Sequence, residues 1–447
     1  MITEVILDSD LLETKFRPLE KSLSADAVLV ESERCYYCYE APCVAACPTD
    51  IDIPGFIRAL AIGQPSRAAD RILQANPLGA SCSRVCPVET LCEQACVRQH
   101  ENGGPVPIGQ LQKFAMQKRS TRNDLSSNSR TSGTGTKVAV VGAGPAGMTA
   151  ATLLAQAGFT VDVFESQVVP GGLNESGIAA YKMLDDAAQC EASRVLSHPS
   201  IHLHTGMALG NKLFLSQLCE DYAGVLLALG LQGQQKMQIP GEDLRGVFSA
   251  VPYIARMRRQ EPVPVGQRVV VIGGGMTAID IAVQVRLLGA EEVHICYRRG
   301  PEAMGASLHE QMLAKEQGVF VHHYLRPISI AGRDGTCESI CLQPTQVLND
   351  QLQDVGDALT WSVDQVFVAI GQQLQTAPWA SDTPELSVNL RGKIQVDGAA
   401  RTSLEGVWAA GDCASMSEDL TVHAVADAKV AVASMMVTLA KATRKTA

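Results

Sequence analysis

The 447-residue chain has a net charge of −10 and an aromatic share of only 4%, so it offers neither the basic stripe nor the stacking platform of a nucleic-acid binder. Its length implies roughly two to four domains with ample core. Met1 to Leu11 is acidic and lacks the basic segment and apolar run of a signal peptide, which predicts a cytoplasmic protein. In a reducing compartment, fourteen cysteines, eight of them between Cys35 and Cys96, point to metal rather than to a disulfide framework.

Residues 1–34 read as a lead-in with one amphipathic stretch and no evident chemistry. The comb follows: Cys35-x2-Cys38-x4-Cys43-x3-Cys47-Pro48 and, after a helical interval from Ile53 to Gln74, Cys82-x3-Cys86-Pro87-x5-Cys92-x3-Cys96. Thiolates two to four residues apart can converge on an iron–sulfur cube, and proline after the last cysteine of a run stops the turn from continuing as helix. Zinc is the competing metal, but it is usually held by paired C-x2-C knuckles, and the interlocked spacing here favours iron–sulfur. From Ser120 to Thr136 the chain loses almost all apolar residues and reads as a linker.

Lys137 begins KVAVVGAGPAGMTAATLLAQAGFTVDVFE: a β-branched strand, Gly142-x-Gly144-x-x-Gly147, an Ala/Leu helix, Gly158 and a second strand ending on Glu165. Gly142 allows the tight turn, Gly144 lets the backbone approach a pyrophosphate, and Gly147 lets helix and sheet pack closely. Free N–H groups at the helix N-terminus face the phosphates, and Glu165 is placed for the ribose hydroxyls. Pro170-Gly171-Gly172-Leu173 and the VLLALG strand, Val225 to Gly230, follow. A second copy starts at Arg268 with Gly273-x-Gly275-x-x-Ala278 and ends not on an acid but on Tyr297-Arg298-Arg299. Arginines there welcome a 2′-phosphate. At about 1.5–3 kcal/mol per charged hydrogen bond, two partly exposed ones favour NADPH over NADH by roughly 2–4 kcal/mol, against the alternative of a solvated loop pair. Phe367 to Gly371 then resembles the VLLALG strand, as though the chain returned to the first sheet. In the final GVWAAGD stretch Asp412 can accept from a ribityl hydroxyl, while the N–H groups near Thr421 and Val422 face an electron-rich ring oxygen.

The expected fold is therefore α/β: an N-terminal α-helical double [4Fe-4S] domain (1–119), a linker (120–136) and two Rossmann-like dinucleotide-binding domains. The NAD(P)H domain (250–368) is inserted in the FAD domain (137–249 and 369–447). Hydride transfer between stacked rings needs no acid–base residue, so no general catalyst is assigned. Glu310, in the HEQ segment after the arginines, is a candidate neighbour of the nicotinamide. Cys190, Cys219, Cys296, Cys337 and Cys341 are scattered and read as structural. Cys413 has no C-x-x-C partner, which argues against disulfide reductase chemistry, and His322 and His323 fall on opposite faces of a strand.

Together the comb, GAGPAG with Glu165, PGGL, GGGMTAID with YRR, and AAGDC resemble the small NAD(P)H-oxidising subunit family of glutamate synthase and bacterial dihydropyrimidine dehydrogenase. The same module forms the N-terminal part of the single-chain animal dihydropyrimidine dehydrogenase. The resemblance runs from about Cys35 to Ala440, and LCEQAC, GGLNESGIAAYK and RRGPEAMGAS lean toward the pyrimidine branch. It implies one [4Fe-4S] cluster on Cys35, Cys38, Cys43 and Cys96. A second would sit on Cys47, Cys86, Cys92 and the amide of Gln112, where glutamate-synthase relatives tend to carry glutamate, and Cys82 matches a non-ligand. Around FAD it implies Gly142, Gly144, Pro145, Ala146, Gly147, Glu165, Gly172, Leu173, Lys182, Leu209, Gly411, Asp412, Thr421 and Val422. For the nicotinamide nucleotide it implies Gly273, Gly274, Gly275, Met276, Thr277, Ala278, Arg298, Arg299, Ala369, Ile370 and Gly371. Departures are Met276, where relatives usually have Asp or Asn, Ala410, where they often have Gly, and Gly305, where the animal enzyme adds a basic residue.

The activity so implied is electron input: NADPH, with NADH possible, through FAD and two clusters to a partner FMN subunit that reduces uracil or thymine to the 5,6-dihydropyrimidine. The alternatives are a glutamate synthase small subunit, another NAD(P)H:ferredoxin-type oxidoreductase, or, from a different class, a non-catalytic assembly subunit. Neither nucleic acid nor membrane is an expected partner.

Overall fold

A computed structural model describes residues 2–19, 22–119, 135–349, 351–383 and 385–446. Most of the expected linker, residues 120–134, lies outside the described residues. The chain forms two compact units, the first comprising Met1–Glu20, Glu175–Leu184 and Gln234–Gln372, the second Lys21–Asn174, Asp185–Gly233 and Gln373–Ala447.

The second unit joins the cysteine region to a five-stranded parallel sheet. Its strand order is Val407–Ala409, Val225–Leu227, Lys137–Val141, Thr160–Glu165 and Ile201–Thr205. Parallel strands covered on both faces read as continuous apolar runs, and Val138 to Val141 are all buried. Helix Pro145–Gln156 starts at Gly144 with Pro145 in its first turn, where a missing N–H costs nothing. It has no polar face because it lies between the sheet and the last helix, Thr421–Thr446, which buries Ala424, Ala428, Ala431, Val432, Met435 and Leu439 in the same core. That last helix is long and apolar enough over Thr421–Ala440 to cross a membrane, yet 56% of this stretch is buried in the protein, as a core helix requires.

The cysteine region is helical: Ala25–Glu33, Ile53–Ala61, Pro65–Ala75, Gly79–Val85 and Ile108–Lys118. These helices close over Phe56, Ile57, Leu60, Ile72 and Leu111. Asp52 starts the second of them by accepting from the Gly55 N–H, a side-chain cap.

The first unit carries its own five-stranded parallel sheet, in the order Phe320–His323, Glu292–Tyr297, Arg268–Ile272, Gln365–Val368 and Val247–Ser249. An antiparallel sheet built from Leu325–Arg333, Thr336–Leu348, Gln351–Asp354 and Leu359–Ser362 follows the edge strand. Residues 2–19 belong to this unit and not to the cysteine region. Thr3–Val5 pairs antiparallel with Val263–Val265, and Leu7 and Phe16 are buried among Tyr253, Ile254 and Met257.

Candidate functional site

Three groups of residues hold the chemistry, and each is built by local backbone geometry. The first is the glycine turn of the second unit. Gly142 has φ +106°, and a Cβ there would stand 2.2 Å from the Ala228 carbonyl oxygen. At Gly147 it would stand 1.9 Å from the Gly142 carbonyl, and at Gly172 2.8 Å from the Gly144 Cα. The turn and the PGGL loop therefore form a cradle that side chains would fill. Glu165 is buried at the end of its strand, one oxygen accepting from the Ala143 N–H at 2.7 Å and the other from the Gln167 N–H at 2.8 Å. Its carboxylate is thus fixed against the turn. Gly411, at φ +74°, is wedged between Ala146 and Ala424. Asp412 beside it is pushed up to about 6, chiefly by burial and then by Asp419, in spite of Lys393. Leu173, Leu209 and Val422 also belong to this unit.

Asn174 was not legible as a site residue. It is 1% exposed, its Oδ1 accepts from the Thr421 hydroxyl at 2.8 Å, and its Nδ2 has no hydrogen-bond partner. A buried amide nitrogen left unpaired costs free energy, so the position fits a ligand acceptor that completes it. Orphaned donor, glycine cradle and fixed carboxylate together fit a flavin dinucleotide.

The second group lies in the first unit. Gly273 has φ +148°, and a Cβ there would stand 2.2 Å from the Ala369 carbonyl oxygen. Helix Met276–Leu287 starts at Gly275, and Ala278 is fully buried one turn in. Gln234, Ala250, Val251, Thr277, Val368, Ala369, Gly371 and Gln372 line a cleft at the ends of two strands. Arg298 and Arg299 do not line it. They follow the neighbouring strand, both exposed, with their backbone carbonyls held by the Thr345 hydroxyl and the Tyr324 N–H. Gly305 packs toward Gly275, and the Ala306 N–H donates to the Gly274 carbonyl at 2.9 Å.

Lys182, grouped with the flavin residues by resemblance, packs within this nucleotide unit. Its ammonium lies 2.7 Å from Asp280 and 2.9 Å from Glu310. Burial pushes the lysine down, but the two carboxylates outweigh it and hold it protonated. Burial raises Glu310, whose Oε2 is buried with no hydrogen-bond partner. That orphaned acceptor beside the 304–307 segment fits a polar group of a bound nucleotide. Pairing one cation with two acids was invisible in sequence because Lys182 and Asp280 are nearly a hundred residues apart.

The third group is the comb. Cys35, Cys38, Cys43 and Cys96 line one cleft, walled by Ile53, Ile57, Val106 and Ile108. Burial, followed by the neighbouring thiols, raises Cys43 to about 12, and burial raises Cys35 too. Four thiolates are tolerable here only with a metal cation between them. Among the described residues no three His, Cys, Asp or Glu side chains converge as ligands of a single ion. Cys86 is raised first by a hydrogen bond with Cys82 and then by burial, with Cys92 and Cys47 adding to it, while Cys92 is raised by burial, Glu93, Cys47 and Cys43. Gln112 is buried, and its Nε2 donates to the Gly79 carbonyl at 2.9 Å. That commits the nitrogen and leaves the amide oxygen as the end able to ligate. The scattered cysteines show no such grouping: Cys413 is fully buried, its thiol donating to the Leu227 and Ala410 carbonyls. His322 meets His294 at 2.9 Å, whereas His323 meets Met304.

Residues 136–428 match the family model of pyridine nucleotide-disulphide oxidoreductases, and residues 12–124 match that of dihydropyrimidine dehydrogenase domain II, 4Fe-4S cluster. The chain is 31% identical over 449 residues to the putative oxidoreductase UacF of Escherichia coli, covering 95% of this chain and 70% of that protein. It is 30% identical over 404 residues to the NAD-dependent dihydropyrimidine dehydrogenase subunit PreT of the same organism, covering 90% and 92%. Against the small chain of glutamate synthase [NADPH] from Halomonas elongata it is 31% identical over 422 residues, covering 90% and 88%. Among solved structures, FprA of Mycobacterium tuberculosis in complex with NADPH shares the fold, with a TM-score of 0.60 at 21% identity over 70% of this chain and 86% of that one. The chain thus belongs to the pyridine nucleotide-disulphide oxidoreductase family, as an NAD(P)H-dependent flavin oxidoreductase with an N-terminal [4Fe-4S] domain.

Proposed function

We propose that this chain takes hydride from NADPH and delivers the electrons singly to an FMN-containing partner subunit in the cytoplasm, which reduces uracil or thymine to the 5,6-dihydropyrimidine. FAD supplies the exchange between a hydride and single electrons, and the two clusters carry those electrons one at a time. The residues do the rest. The turn from Gly142 to Gly147 lets the flavin pyrophosphate reach backbone N–H groups, with Glu165 and Asp412 on its hydroxyls and Thr421, Val422 and Asn174 at its ring. The turn from Gly273 to Ala278, with Ala369 to Gly371, takes the nicotinamide nucleotide. Arg298 and Arg299, both exposed on a braced loop, attract a 2′-phosphate. Ile53, Ile57, Val106 and Ile108 make the surroundings of the Cys35 set apolar.

The observation that carries the pyrimidine reading is Gln112. A neutral buried amide completing the Cys47, Cys86 and Cys92 set leaves that cluster less negative than a fourth thiolate or a glutamate would, which raises its potential, other effects equal. Relatives named as glutamate synthase small chains keep that assignment as the second reading. Co-purification of the partner decides: NADPH oxidation that depends on uracil and on an FMN subunit supports the proposal, and dependence on glutamine and 2-oxoglutarate defeats it. A preparation with neither flavin nor iron would favour an assembly role.

A further inference from the structure

Within the second unit, the sheet-and-helix part grips the cysteine region at a small set of residues. Glu191 accepts from the Ala80 and Ser81 N–H groups at 2.9 and 3.0 Å, which satisfies the open N-terminus of helix Gly79–Val85. Arg194 donates to the Pro77 carbonyl at 2.5 Å, and Leu78 is fully buried against Met148, Ala192, Val195 and Val425. From the last helix, the Lys429 ammonium donates to the Thr49 carbonyl at 2.9 Å and to the Ala75 carbonyl at 3.3 Å. Thr49 is fully buried, and its hydroxyl lies 3.4 Å from the Cys47 sulfur. These contacts land on residues 47–49 and 75–81, beside the Cys47 set and not on the Cys35 set.

Three of these side chains are charged, but Glu191 and Arg194 pair with each other at 3.6 Å, whereas Lys429 does not share that pairing. Lys429 sits two turns along the helix whose first residues, Thr421 and Val422, face the flavin position, and among the described residues it is held by carbonyls and paired with no carboxylate that would cancel it. We propose that Lys429 is the positioning residue for electron entry into the Cys47 cluster. Its two hydrogen bonds lock the Cys47–Pro48–Thr49 loop to the flavin helix, and its charge offsets the negative charge that the cluster gains with each electron. Each transfer moves one electron from reduced flavin to cluster, with no bond made or broken at the lysine. The inference rests on the electron-transfer reading above.

The test uses anaerobically purified full-length protein with both cofactors loaded, comparing Lys429→Met, Lys429→Gln and Lys429→Arg with the parent. Flavin bleaching by NADPH is followed by stopped flow, and each cluster by an EPR-monitored redox titration. Lys429→Met and Lys429→Gln should bleach flavin at the parental rate, shift one cluster potential downward while the other stays put, and slow cluster reduction roughly tenfold, the scale of one partly buried charge. Lys429→Arg should restore both. Parental potentials and rates in the neutral variants, or an equal shift of both clusters, would overturn the proposal. Should Lys429→Met lose iron, the comparison of Lys429→Gln with Lys429→Arg decides, because equal potentials in those two refute a role for the charge. Failure of NADPH to bleach flavin in the parent would instead strike the electron-transfer reading itself.

Discussion

The two dinucleotide units share a strand order and differ in what their second strand delivers. Each sheet runs edge strand, returning strand, glycine strand, acid-or-arginine strand and outer strand. In the flavin unit the edge strand, Val407–Ala409, comes from the end of the chain, whereas in the nucleotide unit it is Val247–Ser249, just before the glycine strand. One backbone plan thus tolerates two chain routes, because a parallel sheet needs its strands side by side and not in sequence order. The strands that follow the two turns end differently: Glu165 is buried and locked to its turn, whereas Arg298 and Arg299 are exposed, with their carbonyls held by Thr345 and Tyr324. A tightly held cofactor suits the first arrangement, and a nucleotide that comes and goes suits the second.

The largest test of this contrast is to strike each turn separately. A Cβ at Gly142 or Gly273 would meet a carbonyl oxygen at 2.2 Å and occupy a left-handed or extended-positive φ. Gly142→Ala should be isolated without flavin, while Gly273→Ala should keep flavin and lose more than about a hundredfold in the NADPH reduction rate. Both variants losing both functions would collapse the distinction. Next, replacing Arg298 and Arg299 together by Ala should lower the NADPH:NADH ratio of kcat/KM by about thirtyfold to a thousandfold. An unchanged ratio would make the pair a solvated loop.

Asn174→Leu sharpens the flavin side. Removing the unpaired Nδ2 at the cost of the Thr421 hydrogen bond should leave the melting temperature of the flavin-free protein nearly unchanged while weakening FAD binding roughly three- to tenfold. A loss of stability without a loss of flavin would show that the amide serves the fold alone. The smallest effect is at Asp412. Its folded pKa of about 6 lies above the ordinary 3.8, so the folded state binds more protons between those values and gains stability as pH falls. The flavin-free Asp412→Asn protein should therefore melt higher than the parent at pH 7.5, with the gap narrowing at pH 5. A gap independent of pH would refute that origin.

Much of this was legible locally. Both glycine turns, Glu165, the arginine pair and each of the two cysteine runs are encoded within about thirty residues, where spacing marks them, but the grouping of Cys96 with Cys35, Cys38 and Cys43 crosses between the runs. The missed features are long-range. The Lys182–Asp280–Glu310 cluster, the Asn174–Thr421 pair and the Lys429 tie to Thr49 join residues from about 100 to 380 positions apart, and Thr3–Val5 finds its partner strand at Val263. No periodicity links such positions. The PGGL loop marked its glycines but not Asn174, whose burial only the packed last helix explains.

The central claim is that paired electrons become single ones by way of flavin and then the Cys47 cluster. Mixing NADPH anaerobically with parent and Cys47→Ser proteins, in the presence of cytochrome c as a one-electron acceptor, tests it most directly. The account predicts flavin bleaching at matching rates in both, with cytochrome c reduction falling at least roughly tenfold in Cys47→Ser. Equal cytochrome c reduction by the two proteins, with iron lost from the variant, would contradict it.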